Sequence, residues 1–197
     1  MKLFRRRNEA LSRPLETERF VLRPLNRVQT LWLTSAWRKD PEILVAFFQS
    51  SKPKSLLRWL RAPLLPNSTD RFAFAIHPKG VARPIGIDVV NLAGYRSAYF
   101  TVAVDDRSWR GRGVVTEVRA KLINHLFANG IERIFGIVAA RNASSIFNYK
   151  RLGFSHVGTW HRHRVDPVTG EIFDMVNFEL FRDKWLSGPW AERSDDT

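Results

Sequence analysis

The stretch RSWRGRGVVTE, residues 107–117, sets Gly111 and Gly113 among Arg107, Arg110 and Arg112 and then turns apolar. Glycine lets a backbone come close to a ligand and adopt dihedrals that a side chain forbids. A helical pattern begins just after the glycines, at Val114 and Val115. The first N–H groups of a helix lack internal partners and lie at the positive end of its dipole. Together these features favour a bound phosphate by about 1–2 kcal/mol, before Arg110 and Arg112 add charge-assisted hydrogen bonds. The chemistry this spacing serves is anion binding, with a pyrophosphate as the expected ligand. The run lacks the Gly-Lys-Ser/Thr ending of a nucleotide P-loop, and Thr116 stands where a dinucleotide fingerprint has its third glycine. It is neither ATP-like nor NAD-like.

The elements that position this loop are read from periodicity. RFVLRPL (19–25) spaces Phe20, Leu22 and Leu25 as in a strand, stopped near Pro24. From Val28 to about Leu65 the spacing is helical, in VQTLWLTSAWRKD, PEILVAFFQSS and KSLLRWLRAPLL, with Pro41 suited to a first helical turn. RFAFAIHPKG (71–80), RPIGIDVVNLAG and SAYFTVAVDD read as an antiparallel meander. Val114, Val118, Leu122 and Leu126 recur at helical spacing as far as Gly130, which suits a left-handed helix end. The apolar run IERIFGIVAA (131–140) predicts a buried strand, and RNASSIFNYKRLGF (141–154) a short helix running from capping residues to Gly153. FSHVGTWHRHRV and IFDMVNFELF flank the turn DPVTGE and predict a hairpin. This order of elements is a mixed α/β layer architecture.

The 197 residues suit one domain, over 14–188, between a loose basic segment at 1–13 and a flexible tail at 189–197. No apolar run approaches the ~18 residues of a membrane span, and the start carries no secretory signal, so a cytoplasmic protein without membrane contact is expected. The absence of cysteine excludes disulfides, thiolate metal sites and a cysteine nucleophile. A net charge of +13 implies attraction to polyanions: nucleic acid, a ribosome or a phosphorylated cofactor. Lys2, Arg5, Arg6, Arg7 and the segment KPKSLLRWLR with its aromatic are the candidates for such contact, against the alternative of a solvated face and tail.

The stretch from Val104 to Phe154 resembles the GNAT superfamily of acetyl-CoA-dependent N-acetyltransferases, and within it the ribosomal-protein amino-terminal (RimJ/RimL-like) branch. The resemblance extends from LETERFVLRPL to FELFRDKW. The family's Arg/Gln-x-x-Gly-x-Gly/Ala loop falls on Arg110, Gly113 and Val115, with Val115 in the place of a small residue. The resemblance implies a central, mostly antiparallel twisted sheet flanked by helices, with a C-terminal β-hairpin. It implies acetyl-CoA as acyl donor and direct transfer to a primary amine in a ternary complex, since no cysteine can carry the acyl group. In that frame the amides of Gly111, Arg112, Gly113, Val114 and Val115 hold the pyrophosphate, and Asn142 and Ser145 lie near the pantetheine arm. The main chain of Val102, Ala103 and Val104 meets the thioester oxygen. Tyr149 donates a hydrogen bond or proton to the sulfur; its alternative is an aromatic packed beside Phe147 or Phe154.

No general base is assigned. Phe100 falls where this branch keeps a strand glutamate. Asp105 and Asp106 suit turn formation or helix-end electrostatics, and His161 and His163 either line an acceptor groove or are solvated. Near pH 7.4, freeing a lysine of pKa ~10.4 costs about 4 kcal/mol, whereas an α-amine of pKa ~7.8 costs roughly half of one. The expected acceptor is therefore a protein α-amino group, of the ribosomal-protein type. The alternatives are a small-molecule amine or amino sugar, and a nucleic-acid- or ribosome-binding protein that keeps the fold without turnover.

Overall fold

Residues that alternate in the sequence become one sheet. The computed structural model describes residues 10–41, 43–44, 54–62, 64–67, 69–166 and 168–192. Eight strands lie in the order β1-β2-β3-β4-β5-β6-β8-β7. They are β1 (Leu15–Glu16), β2 (Phe20–Leu25), β3 (Arg71–Pro78), β4 (Gly86–Ala93), β5 (Ser97–Val104), β6 (Arg133–Ala139), β7 (Ser155–Val165) and β8 (Ile172–Phe181). The meander β3-β4-β5 and the hairpin β7-β8 pair antiparallel as expected. β2 covers Phe20–Leu25 and ends one residue past Pro24, near where it was expected to stop. β1 pairs no further along β2 than Leu22, so Pro24 lies on a locally free edge, where a missing N–H is tolerated.

The helical stretch expected over 28–65 forms in pieces. α1 (Arg27–Thr34) opens with a capping box between Asn26 and Gln29 and tightens into a 3-10 turn at Ser35–Lys39. Most of PEILVAFFQSS lies outside the described residues, and among its described residues KSLLRWLRAPLL is α-helical only at α2 (Leu56–Trp59), capped by Ser55. Trp59, the aromatic of the basic segment, is fully buried, and its indole N–H donates to Thr34 Oγ1 at 3.3 Å. It faces the core and is not available to stack on a base. Lys2, Arg5, Arg6 and Arg7 lie outside the described residues.

Each face of the sheet has its own core. On one, Phe72, Phe74, Phe100 and Ile134 meet Val118, Leu122 and Leu126 of α3 (Val114–Ala128) and Tyr149 of α4 (Ala143–Arg151). On the other, Ala73, Ile87, Val89 and Ala103 meet Trp37, Trp59, Leu64 and Leu65. α5 (Arg182–Leu186) follows β8 and buries Trp185. Among the described residues no helix is long and apolar enough to cross a membrane. β5 and β6 are the parallel neighbours, and α3 is the crossover that such a pair requires. Their register holds only from Ser97↔Arg133 to Tyr99↔Phe135, although β5 continues to Val104 and β6 to Ala139.

The segments set apart in the sequence reading touch this core at their margins. Leu11 is 2% exposed, and Trp190 donates its indole N–H to the Arg151 carbonyl at 3.0 Å. His125 Nε2 lies 3.4 Å from the Leu11 carbonyl. Burial is the main cause that holds the His125 imidazole below its ordinary value of 6.5. Its contribution to stability is therefore present above pH 6.5 and lost as the pH falls. Asp88 runs the other way: burial raises its carboxyl from 3.8 to about 6, so its contribution is present below 3.8 and lost as the pH rises. His125→Gln removes the first effect and leaves the second. The melting temperature of the wild type minus that of the variant is expected to shrink between about pH 7.5 and about pH 5.5. A difference independent of pH would contradict this assignment.

Candidate functional site

Past Tyr99, β5 has β4 on one side and, among the described residues, no strand paired on the other. Alternate main-chain groups of Phe100–Val104 therefore face the gap. The gap is a cleft of about 330 Å3, walled by Val102, Gly136, Val138 and Tyr149 among others. Through Val102, Asn142 and Ser145 it joins a second cleft of about 540 Å3. Ala103 and Val104 of β5 line that second cleft, with Arg110, Gly111, Gly113, Val114 and Val115 from the loop and first turn of α3. The cofactor-binding residues expected from the sequence thus converge, except that Arg112 stands outside the lining, its guanidinium carbon 6.0 Å from the centre of the Trp109 ring.

The loop is built from its flanks. Asp106 Oδ1 accepts from Ser108 N–H at 3.0 Å and from its hydroxyl at 2.7 Å, which caps the 3-10 turn Arg107–Trp109. Trp109 packs edge-on to Phe20, with ring centres 5.6 Å apart. Gly111 and Gly113 have φ of 74° and 75°, the left-handed region that favours glycine. Gly113 is the N-cap of α3, and among the described residues no side chain caps that end. The turn is kept with Val115 in the small residue's place, where its half-buried side chain joins the cleft wall. The substitution is a change of packing.

An acid in the first turn would oppose a bound anion, and Glu117 is that acid. It is drawn away. Arg19 Nε donates to Glu117 Oε2 at 2.6 Å, while the Thr17 hydroxyl and the Arg19 N–H donate to Oε1 at 2.6 and 2.9 Å. Burial pushes the Glu117 carboxyl up, but these bonds and the Arg19 charge outweigh it and hold the group below its ordinary value. Arg19 Nη1 also donates to the Arg112 carbonyl at 3.1 Å, so one guanidinium neutralises the acid and ties down the loop.

On the opposite wall Asn142 is the N-cap of α4, its Oδ1 accepting from Ser145 N–H at 3.0 Å. Thr116 donates its hydroxyl to Asn148 Oδ1 at 3.0 Å and ties α3 to α4. Tyr149 is 5% exposed, stacked on Phe178 with ring centres 5.0 Å apart and edge-on to Phe154 at 4.9 Å. Phe147 is exposed, so the packing partners are Phe154 and Phe178. The phenol lies over Gly136, where a Cβ would overlap its hydroxyl. Burial pushes the phenol above its ordinary value of 10.0, and the Arg119 charge pulls against that.

The remaining candidates sort themselves by surroundings. Phe100 is buried and lines the first cleft. Asp105 accepts from the Trp37 indole at 3.2 Å. His161 and His163 are exposed on β7, where a register shift between Trp160 and Arg164 breaks the alternation that would put both on one face. His161 Nδ1 is 2.9 Å from Asp174 Oδ2, His163 packs on Trp160, and neither histidine lines the clefts. Among the described residues no cluster of three His, Asp or Glu is placed to hold a metal. Sequence reasoning missed Arg19, Glu117, Arg119 and Asp88. The last two carried a signal: Arg119 interrupts the stripe Val115, Leu122, Leu126, and Asp88 interrupts the apolar run IGIDVV.

Two substitutions test this geometry. Arg19→Ala frees Glu117 and the Arg112 carbonyl together, and is expected to weaken coenzyme A binding about three- to tenfold, read by calorimetry. Gly136→Ala forces Tyr149 off its stack, and is expected to lower stability by about 1–3 kcal/mol in denaturant titration. Unchanged values in either case would mean that the contact is not needed.

No curated protein matches the chain by sequence. Among solved structures, spermidine N-acetyltransferase from Vibrio cholerae, in complex with CoA and spermine, aligns over 85% of this chain and 98% of its own, with a TM-score of 0.71 at 19% identity. RimL, the ribosomal L7/L12 alpha-N-protein acetyltransferase in complex with coenzyme A, aligns over 87% and 99%, with a TM-score of 0.71 at 16% identity. A probable GNAT-family acetyltransferase from Chromobacterium violaceum aligns over 88% of each chain, with a TM-score of 0.67 at 18% identity. At these identities the likeness is one of fold. The family described as "Acetyltransferase (GNAT) domain" matches residues 19–155, and with the clefts and loop just described the chain belongs to the GNAT acetyltransferases.

Proposed function

We propose that this acetyltransferase moves the acetyl group of acetyl-CoA to the α-amino group of a protein or peptide. The observation that carries the reading is electrostatic. Among the described residues no aspartate or glutamate lines either cleft. None lines a third cavity of about 320 Å3, which shares Phe135, Gly136 and Ile137 with the first and is walled by Val157 and Trp160. The charged side chains at these walls are Arg110, Arg119, Arg133 and Arg151. A polyamine brings several positive charges and needs carboxylates to receive them; these walls offer apolar surface and arginines, and the carboxylates near them, Asp88 and Glu179, are already paired with Arg119 and Arg133. A single amine whose neutral form lies within about 1 kcal/mol of its charged form near pH 7 suits them better, and the α-amino group is that amine. Ile137, Val157 and Trp160 fit an apolar side chain beside it. The net charge of +13 supports an acceptor carried on or beside a polyanion, as a ribosomal protein is.

Acetyl-CoA supplies the acyl group as an activated thioester. The main chain of Gly111 to Val115 and the helix dipole of α3 hold its pyrophosphate, with Arg110 at the cleft wall adding charge. Asn142 and Ser145 border the pantetheine path, and the main chain of Val102 to Val104 offers N–H groups to the carbonyl oxygen. The amine nitrogen forms the new C–N bond as the C–S bond breaks. Tyr149 gives its proton to the departing sulfur, the surplus proton of the amine passes to water, and water restores the phenol.

A panel of amino-terminal peptides, spermidine and an amino sugar tests the acceptor. Peptides are expected to be acetylated with the highest kcat/KM, those with an apolar first residue above the others. Preference for spermidine, or binding of RNA without turnover of any amine, would overturn the reading. Tyr149→Phe is expected to lower kcat on the order of a hundredfold, with KM for acetyl-CoA little changed.

A further inference from the structure

The core beneath Tyr149 contains two buried ions that the scheme above does not use. Asp88 of β4 is 0% exposed and Arg119 of α3 is 4% exposed. They meet through one contact, Arg119 Nε to Asp88 Oδ2 at 3.4 Å. Asp88 Oδ1 is buried with no hydrogen-bond partner among the described residues. Such a pair is a poor stabilising device. Desolvating two charges costs about as much as their attraction returns, and a single long contact returns less than a bidentate one. Its position is more informative. Arg119 reaches the cleft wall beside Tyr149, with its guanidinium carbon 5.4 Å from the centre of the Phe100 ring and 5.6 Å from that of Tyr149.

We propose that Arg119, anchored by Asp88, is a positioning residue for Tyr149: it fixes the phenol over Gly136 and stabilises the phenolate left when the proton passes to sulfur. The inference rests on the reading of Tyr149 as the proton donor. A phenol in an apolar core is a weak acid because its anion is desolvated, and a cation against the ring offsets that cost. Arg119 is the cation that packs there, and its pull on the Tyr149 phenol opposes the effect of burial and outweighs the contrary push of the Asp88 carboxylate. Asp88 holds the guanidinium from the neighbouring strand, its Cα opposite Val102 in the ladder. Phe100 contributes an apolar ring beside Arg119, where a carboxylate would compete with Tyr149 for the guanidinium. Arginine suits this place because it stays charged when buried, whereas a lysine readily loses its proton there.

A double-mutant cycle on kcat tests the proposal. Arg119→Met is expected to lower kcat about tenfold in the wild type and less than about twofold in a Tyr149→Phe background, with KM for acetyl-CoA within about threefold. Arg119→Lys is expected to restore part of the rate. Equal losses in the two backgrounds would reduce Arg119 to a structural residue and overturn the inference. If Arg119→Met does not fold because Asp88 is left unpaired, the double variant Asp88→Asn with Arg119→Met removes both charges and carries the same cycle. Full kcat in Tyr149→Phe alone would overturn the donor reading itself, an outcome distinct from the failure of Arg119.

Discussion

Two parallel strands that pair for three residues and then diverge impose a demand on the rest of the molecule. Among the described residues the main chain of β5 beyond Tyr99 has a ladder on one side only, and the groups on its other side need a partner. The surrounding elements keep that gap open and shaped. β4 holds β5 along its whole length, and β8 holds β6 from Arg133 to Ala139, so neither strand can close on the other. α3 crosses between them and delivers its N-terminus to one end of the gap, while α4 forms the opposite wall. A thioester carrying a pyrophosphate tail matches this layout: oxygen acceptor groups toward the strand, phosphates toward the helix end.

Electrostatics then decide which charges face the cleft. An uncapped helix N-terminus attracts an anion only if nearby acids are neutralised, and Arg19 does this for Glu117 while bracing the Arg112 carbonyl. The acids Asp105 and Asp106 are occupied with Trp37 and Ser108. Asp88 is sealed behind Arg119. What remains at the walls is neutral or positive, which favours phosphate on one side and a singly charged or neutral amine on the other.

Much of the fold was legible because its signals are local. Alternation in β3, β4 and β5 puts Phe72, Phe74 and Ile76 on one face, and a two-faced sheet needs no further information. The loop was legible because two left-handed residues leave glycines at a fixed spacing. Elements set by distant partners were harder to read. The basic segment at 54–61 reads as a solvated helix, yet Trp59 is drawn inward by an apolar cluster and a hydroxyl that belong to other elements. His161 and His163 share a face only if the ladder is regular, and at the irregularity the Arg162 N–H donates to the side chain of Asp174, 12 residues away. Arg19 looks like any strand-edge cation, since Glu117 is 98 residues away. Tyr149 came into view through resemblance; its place over Gly136 comes from packing.

Amide hydrogen exchange with and without saturating acetyl-CoA tests the central claim most directly, because it reads the gap and the loop residue by residue. Protection is predicted at Gly111 to Thr116 and at Phe100 to Val104, with the exposed arm of β7 unchanged. Protection spread over the basic surface, or absent from both the loop and the open edge of β5, would contradict the assignment of this cleft as the acyl-transfer site.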